Sequence, residues 1–235
     1  MTTLPAHQAG AHTPGPVDDA KAPLWKRYRA APHFRNKEEE FDAVKLGFWL
    51  FLATEVLLFS GLFCAYAVFR MLYPGAFVNG SGYLDWRFGG LNTVVLLVSS
   101  YTMAASIRAF QRDEQLRAKL NLLFTILCGA AFLFIKLKFE YMPKWSQGKR
   151  PGVLFDYPFS SDPYEHLWWS VYYSATGIHA LHVIIGMSLI FWVFMRARKG
   201  MYGPTHYTGV EMSGLYWHLV DLVWIFLFPL LYLID

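Results

Sequence analysis

Five long apolar stretches constrain this chain more than any other feature of it. They run approximately over 46–72, 88–110, 118–140, 167–195 and 213–234. As helices, at ~1.5 Å rise per residue, such runs match the ~30 Å hydrocarbon thickness of a bilayer. Lipid offers no partner to a backbone N–H or C=O, so each isolated span has to be helical. The chain therefore reads as an all-α integral membrane protein, a bundle of five transmembrane helices. Composition agrees, since only 16% of its residues are charged, against about 25% in soluble domains.

The predicted organisation is a polar N-terminal arm over 1–45 and a transmembrane domain over 46–235. The arm carries several Pro and Gly and the acidic run Glu38, Glu39, Glu40, and it lacks the short apolar core of a signal peptide. Connections between spans are short except 141–166, where Pro143, Pro151, Pro158 and Pro163 predict an ordered extramembrane loop.

Lys and Arg orient the bundle. The arm holds seven, the 2–3 connection four and the 4–5 connection three, against seven on the opposite side out of 21 in all. The positive-inside rule then places the N-terminus in the cytoplasm and the C-terminus outside, consistent with an odd number of spans. Trp and Tyr near the span ends, such as Tyr73, Trp86, Tyr141 and Trp168, predict an interfacial belt. The net charge of +4 comes without a basic stripe interleaved with aromatics, so no nucleic-acid partner is expected. Cys64 and Cys128 sit inside apolar helices and read as small core residues.

Polar residues inside the spans are the candidates for function. Glu55 lies within span 1, where a central acidic residue costs about 2.5 to 3.5 kcal/mol. Glu55, Phe59, Leu62 and Tyr66 recur at helical spacing. Ser60 with Cys64, and Gly61 with Ala65, predict a small-residue face that another helix approaches closely. Glu55 is therefore expected to face protein as an acid hydrogen-bonded to a neighbouring helix, with a proton relay or a lipid-facing regulatory role as the sharper alternatives. His179 and His182 sit three apart in span 4, and His218 and Asp221 three apart in span 5. Lys136, Lys138 and Glu140 close span 3 on the outer side. Glu55, His179, His182, His218 and Asp221 could suggest a metal centre, but no span contains the Glu-x-x-His motif of di-iron bundles. An interhelical hydrogen-bond network fits better, and no metal is expected.

Thr54 to Tyr66 resembles the first helix after the N-terminal pair in subunit III of haem–copper terminal oxidases. Leu91-Asn92-Thr93-Val94 is similar to the start of the family's next helix. The runs His179-Ala180-Leu181-His182-Val183-Ile184-Ile185-Gly186 and Tyr216-Trp217-His218-Leu219-Val220-Asp221-Leu222-Val223-Trp224 resemble its last two helices. The likeness covers roughly residues 45 to 235. It implies a non-redox subunit of a proton-pumping cytochrome c or quinol oxidase in aerobic respiration. Such a subunit stabilises subunit I, binds phospholipid and supports proton uptake, with haem and copper held by partner subunits and none of its own. Subunit I is the main expected contact and subunit II a second, with a larger respiratory supercomplex as a further prospect. The bacterial cytoplasmic membrane is the expected location. By the same resemblance the family's intramembrane carboxylate falls on Glu55 and its motif histidines on His179, His182 and His218, with Asp221 beside the last. Many members have seven helices, and five are expected here. One Lys is expected about a turn before the Glu-Tyr pair of span 3, and either Lys136 or Lys138 fits. An accessory subunit of a nitric oxide reductase and a free-standing membrane metalloenzyme are the alternatives.

Overall fold

The computed structural model describes residues 22–234. In chain order its helices are α1 (Leu24–Arg27), α2 (Lys37–Leu72), α3 (Pro74–Gly82), α4 (Trp86–Gln111), α5 (Gln115–Ile135), α6 (Met142–Ser146), α7 (Glu165–Arg198) and α8 (Thr208–Tyr232). A π-helical turn, Lys136–Tyr141, joins α5 to α6, and a short 3₁₀ turn, Gly152–Leu154, lies in the following loop. Among the described residues there are only helices, turns and one isolated β-bridge. Five helical segments are long and apolar enough to cross a membrane: α2, α4, α5 continued through α6, α7 and α8.

The first span starts at Lys37 rather than at residue 46, because its cap lies there. The Asn36 side chain accepts the Glu39 N–H at 2.7 Å, and the Glu39 carboxylate in turn accepts the Arg35 N–H at 2.8 Å. Glu38, Glu39 and Glu40 in the first turn also complement the positive end of the helix dipole. The acidic run of the predicted arm is thus a helix start. The described part of that arm, from residue 22 on, docks onto the 4–5 turn. Trp25 packs where Gly203 leaves space, since a Cβ on Gly203 would come within 2.5 Å of the indole. Tyr28 stacks on His206 at 3.7 Å, donates to Glu40 at 2.7 Å, and Lys45 pairs with Glu211 at 3.1 Å. Burial and the Glu40 hydrogen bond raise the Tyr28 hydroxyl to about 12, and burial lowers His206. Residues 1–21 of the predicted arm lie outside the described residues.

α8 forms the centre of the bundle. Its Trp217 and Trp224 are fully buried, and their indole N–H groups donate to Ser99 Oγ at 3.0 Å and Thr93 Oγ1 at 3.1 Å on α4. α4 and α5 form a tight hairpin closed by Asp113, whose φ of 59° is left-handed, and held by Ser106 donating to the Ala118 carbonyl at 3.0 Å. α2 joins at the edge through Leu52, Phe59 and Tyr66, a stripe seven residues apart, while Leu50, Leu57, Val68 and Met71 point outward. In a bilayer such an outward face meets acyl chains or another subunit.

Among the described residues no helix packs closely on the small-residue face of α2: Gly61 and Cys64 are exposed, and a Cβ on Gly61 would meet no atom within 4 Å, so a close approach there would come from outside this chain. The contact side of α2 is instead its aromatic and aliphatic stripe, which offers more surface to bury. The 1–2 connection also contains an unforeseen helix, α3. Tyr73 leaves helical geometry because Pro74 follows it, and Pro74 then opens α3. Phe77 wedges edge-on between Tyr66 and Trp168, and Gly80 lies so close to Trp168 that any Cβ would overlap the ring.

Candidate functional site

Glu55 lies on the side of α2 that faces α7. Its Oε2 is 2.8 Å from His182 Nε2, and the pair is only partly enclosed, with 17% of the Glu55 side chain and 8% of His182 exposed. His182 Nδ1 is 2.7 Å from the Ile178 carbonyl, an acceptor only, so Nδ1 carries a proton. The contact between Glu55 and Nε2 therefore holds one proton that sits on either the carboxyl or the imidazole. Phe59 lies edge-on to the His182 ring at 5.0 Å, and Tyr216 is stacked at 6.4 Å. The site is a carboxyl–imidazole hydrogen bond at the edge of the bundle, framed by aromatics.

A second intramembrane carboxylate is built very differently. Glu140 Oε2 accepts from Lys136 Nζ at 2.5 Å, Tyr232 at 2.5 Å and Tyr172 at 2.9 Å. Lys136 also bonds the Tyr232 hydroxyl and lies about 5 Å from the ring centroids of Tyr172, Trp224 and Tyr232. Ion pair and cation–π contacts thus enclose both charges. The π turn carries Lys136 and Glu140 to the same side, and Pro143 explains its place. A proline at 143 has no N–H for the Phe139 carbonyl and its ring crowds that oxygen, so a wider turn just before it relieves the clash. Of the two lysines offered by the sequence, Lys136 takes the buried role and Lys138 is exposed.

The remaining candidates do not join these two sites into one network. His218 Nδ1 pairs with Ser100 Oγ on α4 at 2.7 Å. Asp221 is buried beside it on α8, with neither carboxylate oxygen bonded to a described residue. His179 is enclosed by Phe132 at 5.6 Å and Trp224 at 5.2 Å, with neither ring nitrogen hydrogen-bonded to a described residue. Though only three residues from His182, it points into the centre of the bundle while His182 points to the edge. Among the described residues no three His, Cys, Asp or Glu side chains gather as a metal shell would require. Sequence reasoning missed Tyr172, Tyr232 and Ser100, because these partners are supplied by other helices at no fixed spacing. The only advance signal was the aromatic richness of α7 and α8.

Residues 33–235 match the family described as cytochrome c oxidase subunit III. The chain belongs to that family. Subunit III proteins similar to it include cytochrome c oxidase subunit 3 of Synechocystis, 33% identical over 82% of this chain and 76% of the relative. A second, from Thermostichus vulcanus, is 33% identical over 85% of this chain and 92% of the relative. A third relative, from Aeropyrum pernix, is named a heme-copper oxidase subunit I+III. It is 30% identical over 82% of this chain, and the match takes up 23% of the relative's length. As a subunit III of haem–copper oxidases, the chain is a multi-pass membrane protein that works within an oxidase complex.

Proposed function

We propose that this subunit III carries no redox centre of its own and serves the oxidase as a stabilising and proton-supporting partner in the bacterial cytoplasmic membrane. The Glu55–His182 pair carries the reading. Its single shared proton sits on the least enclosed span, where an adjoining subunit or lipid reaches it. Subunit I is the main neighbour in this reading, and a relative named as a fusion of subunits I and III supports that pairing. Subunit II and bound phospholipid complete the surroundings, with haem and copper in the partner subunits.

The test uses the assembled complex carrying Glu55→Gln. The amide keeps the shape and a hydrogen bond to His182 but cannot exchange the proton. Proton uptake slowed with electron transfer intact is the expected result, measured by pH-indicator kinetics beside oxygen consumption. Equal rates of uptake in the two proteins would remove Glu55 from proton handling. Purification of the tagged chain should bring down a haem-bearing subunit I, and recovery with a nitric oxide reductase instead would reassign the complex.

A further inference from the structure

The hairpin of α4 and α5 frames a half-open cavity of about 370 Å³ at its arginine-rich end. Arg108, Arg112 and Arg117 surround it, and Ala104 and Ala105 leave the space open between the helices. Only one arginine is balanced: Arg117 meets Glu114 at 2.8 Å, while Arg108 and Arg112 have no ion-pair partner among the described residues. Three positive charges against one negative leave an excess of two. The walls are fixed, since Ser106 bonds the Ala118 carbonyl at 3.0 Å and Thr102 meets Thr125 at 2.8 Å beside the cavity.

What lies beneath the arginines narrows the ligand. Tyr101, 73% exposed, stands about two turns below Arg108, at roughly 10 Å by helical rise. Leu97 and Val94 continue the same exposed face of α4 toward the membrane centre, and Phe124 does so on α5. A charged rim over an apolar track matches an amphiphile better than a free ion. Basic pockets between transmembrane helices at this depth take anionic headgroups. We propose that this cavity binds the phosphodiester headgroup of an anionic glycerophospholipid, with its acyl chains along Val94, Leu97 and Phe124. The cavity carries this assignment independently of any role for Glu55.

Native mass spectrometry of the purified full chain in mild detergent tests it, with phosphatidylglycerol, phosphatidylcholine and sodium phosphate as probes. Phosphatidylglycerol should be retained well above phosphatidylcholine, and raising the salt should erode the difference. The double variant R108Q/R112Q should weaken phosphatidylglycerol binding roughly 30-fold, from the typical gain per basic residue near an anionic surface. R198Q, an exposed arginine at the end of α7, should leave it unchanged. Equal retention of the two lipids would overturn the proposal, as would an undiminished preference in R108Q/R112Q. Displacement of phosphatidylglycerol by an equal concentration of phosphate would assign the cavity to a free anion and overturn it as well. The wild-type lipid comparison decides the matter on its own if the double variant does not fold.

Discussion

Two carboxylates within the membrane-spanning helices, Glu55 and Glu140, have opposite surroundings. Glu140 is buried and enclosed by three donors from its own chain, on α8, α7 and the π turn. Glu55 has one partner and sits on α2, which has the smallest buried share of the five spans, 11% against 50% for α8. The contrast separates a carboxylate whose environment is complete from one whose environment this chain leaves unfinished. Glu140 reads as architecture. Glu55 is placed to respond to whatever covers the edge.

The largest test of this contrast removes Glu140. Glu140→Ala strands a buried Lys136 and should cost about 3–5 kcal/mol of stability, read as lost resistance to denaturant in detergent. Replacing both partners, Lys136→Met with Glu140→Leu, should recover most of that, because apolar groups of similar size lack the desolvation cost. Glu55→Gln should move stability by only ~0.6 kcal/mol, the average for an interhelical hydrogen bond in membranes. A loss near that of Glu140→Ala would make the two sites alike and end the distinction.

A gentler effect concerns the anchorage of α2. Burial lowers His206, which stacks on Tyr28 with Glu40, Lys37 and Arg196 nearby. The released His206 therefore binds a proton at higher pH than the docked one. Docking is complete above the ordinary histidine value of about 6.5 and weakens as the pH falls below it. A nitroxide at Ala30 should sharpen its spectrum between pH 7.5 and 5.5, and a spectrum insensitive to pH would remove His206 from the clamp. The smallest effect is expected for Gly61→Leu, within ~0.5 kcal/mol for the isolated chain, since the new side chain meets nothing there. A clear loss of assembly with other subunits in the same variant would show that this face of α2 is covered in the complex.

Much of this was readable in advance, and the exceptions share a cause. Hydrophobic run length marked all five spans, because bilayer thickness imposes one length on every helix. Glu55 stood out by cost alone. Its partner was not legible: His179 and His182 were both network candidates, and their spacing of three let His182 reach α2 and turned His179 toward Trp224. Spacing fixes an angle around one helix, and only packing decides what lies at that angle. The tyrosines around Lys136, the α3 wedge and the Trp25 seat are likewise contacts between distant segments. Run length and periodicity carry no signal for them.

The seat of Trp25 has a consequence for how the protein is made. Gly203, against which the indole rests, is synthesised long after Trp25. At ~5–20 residues per second, the arm waits roughly ten to forty seconds before its binding surface exists. Until then the head of the first span is untethered, and capture of Trp25 marks a chain whose first four spans have all emerged.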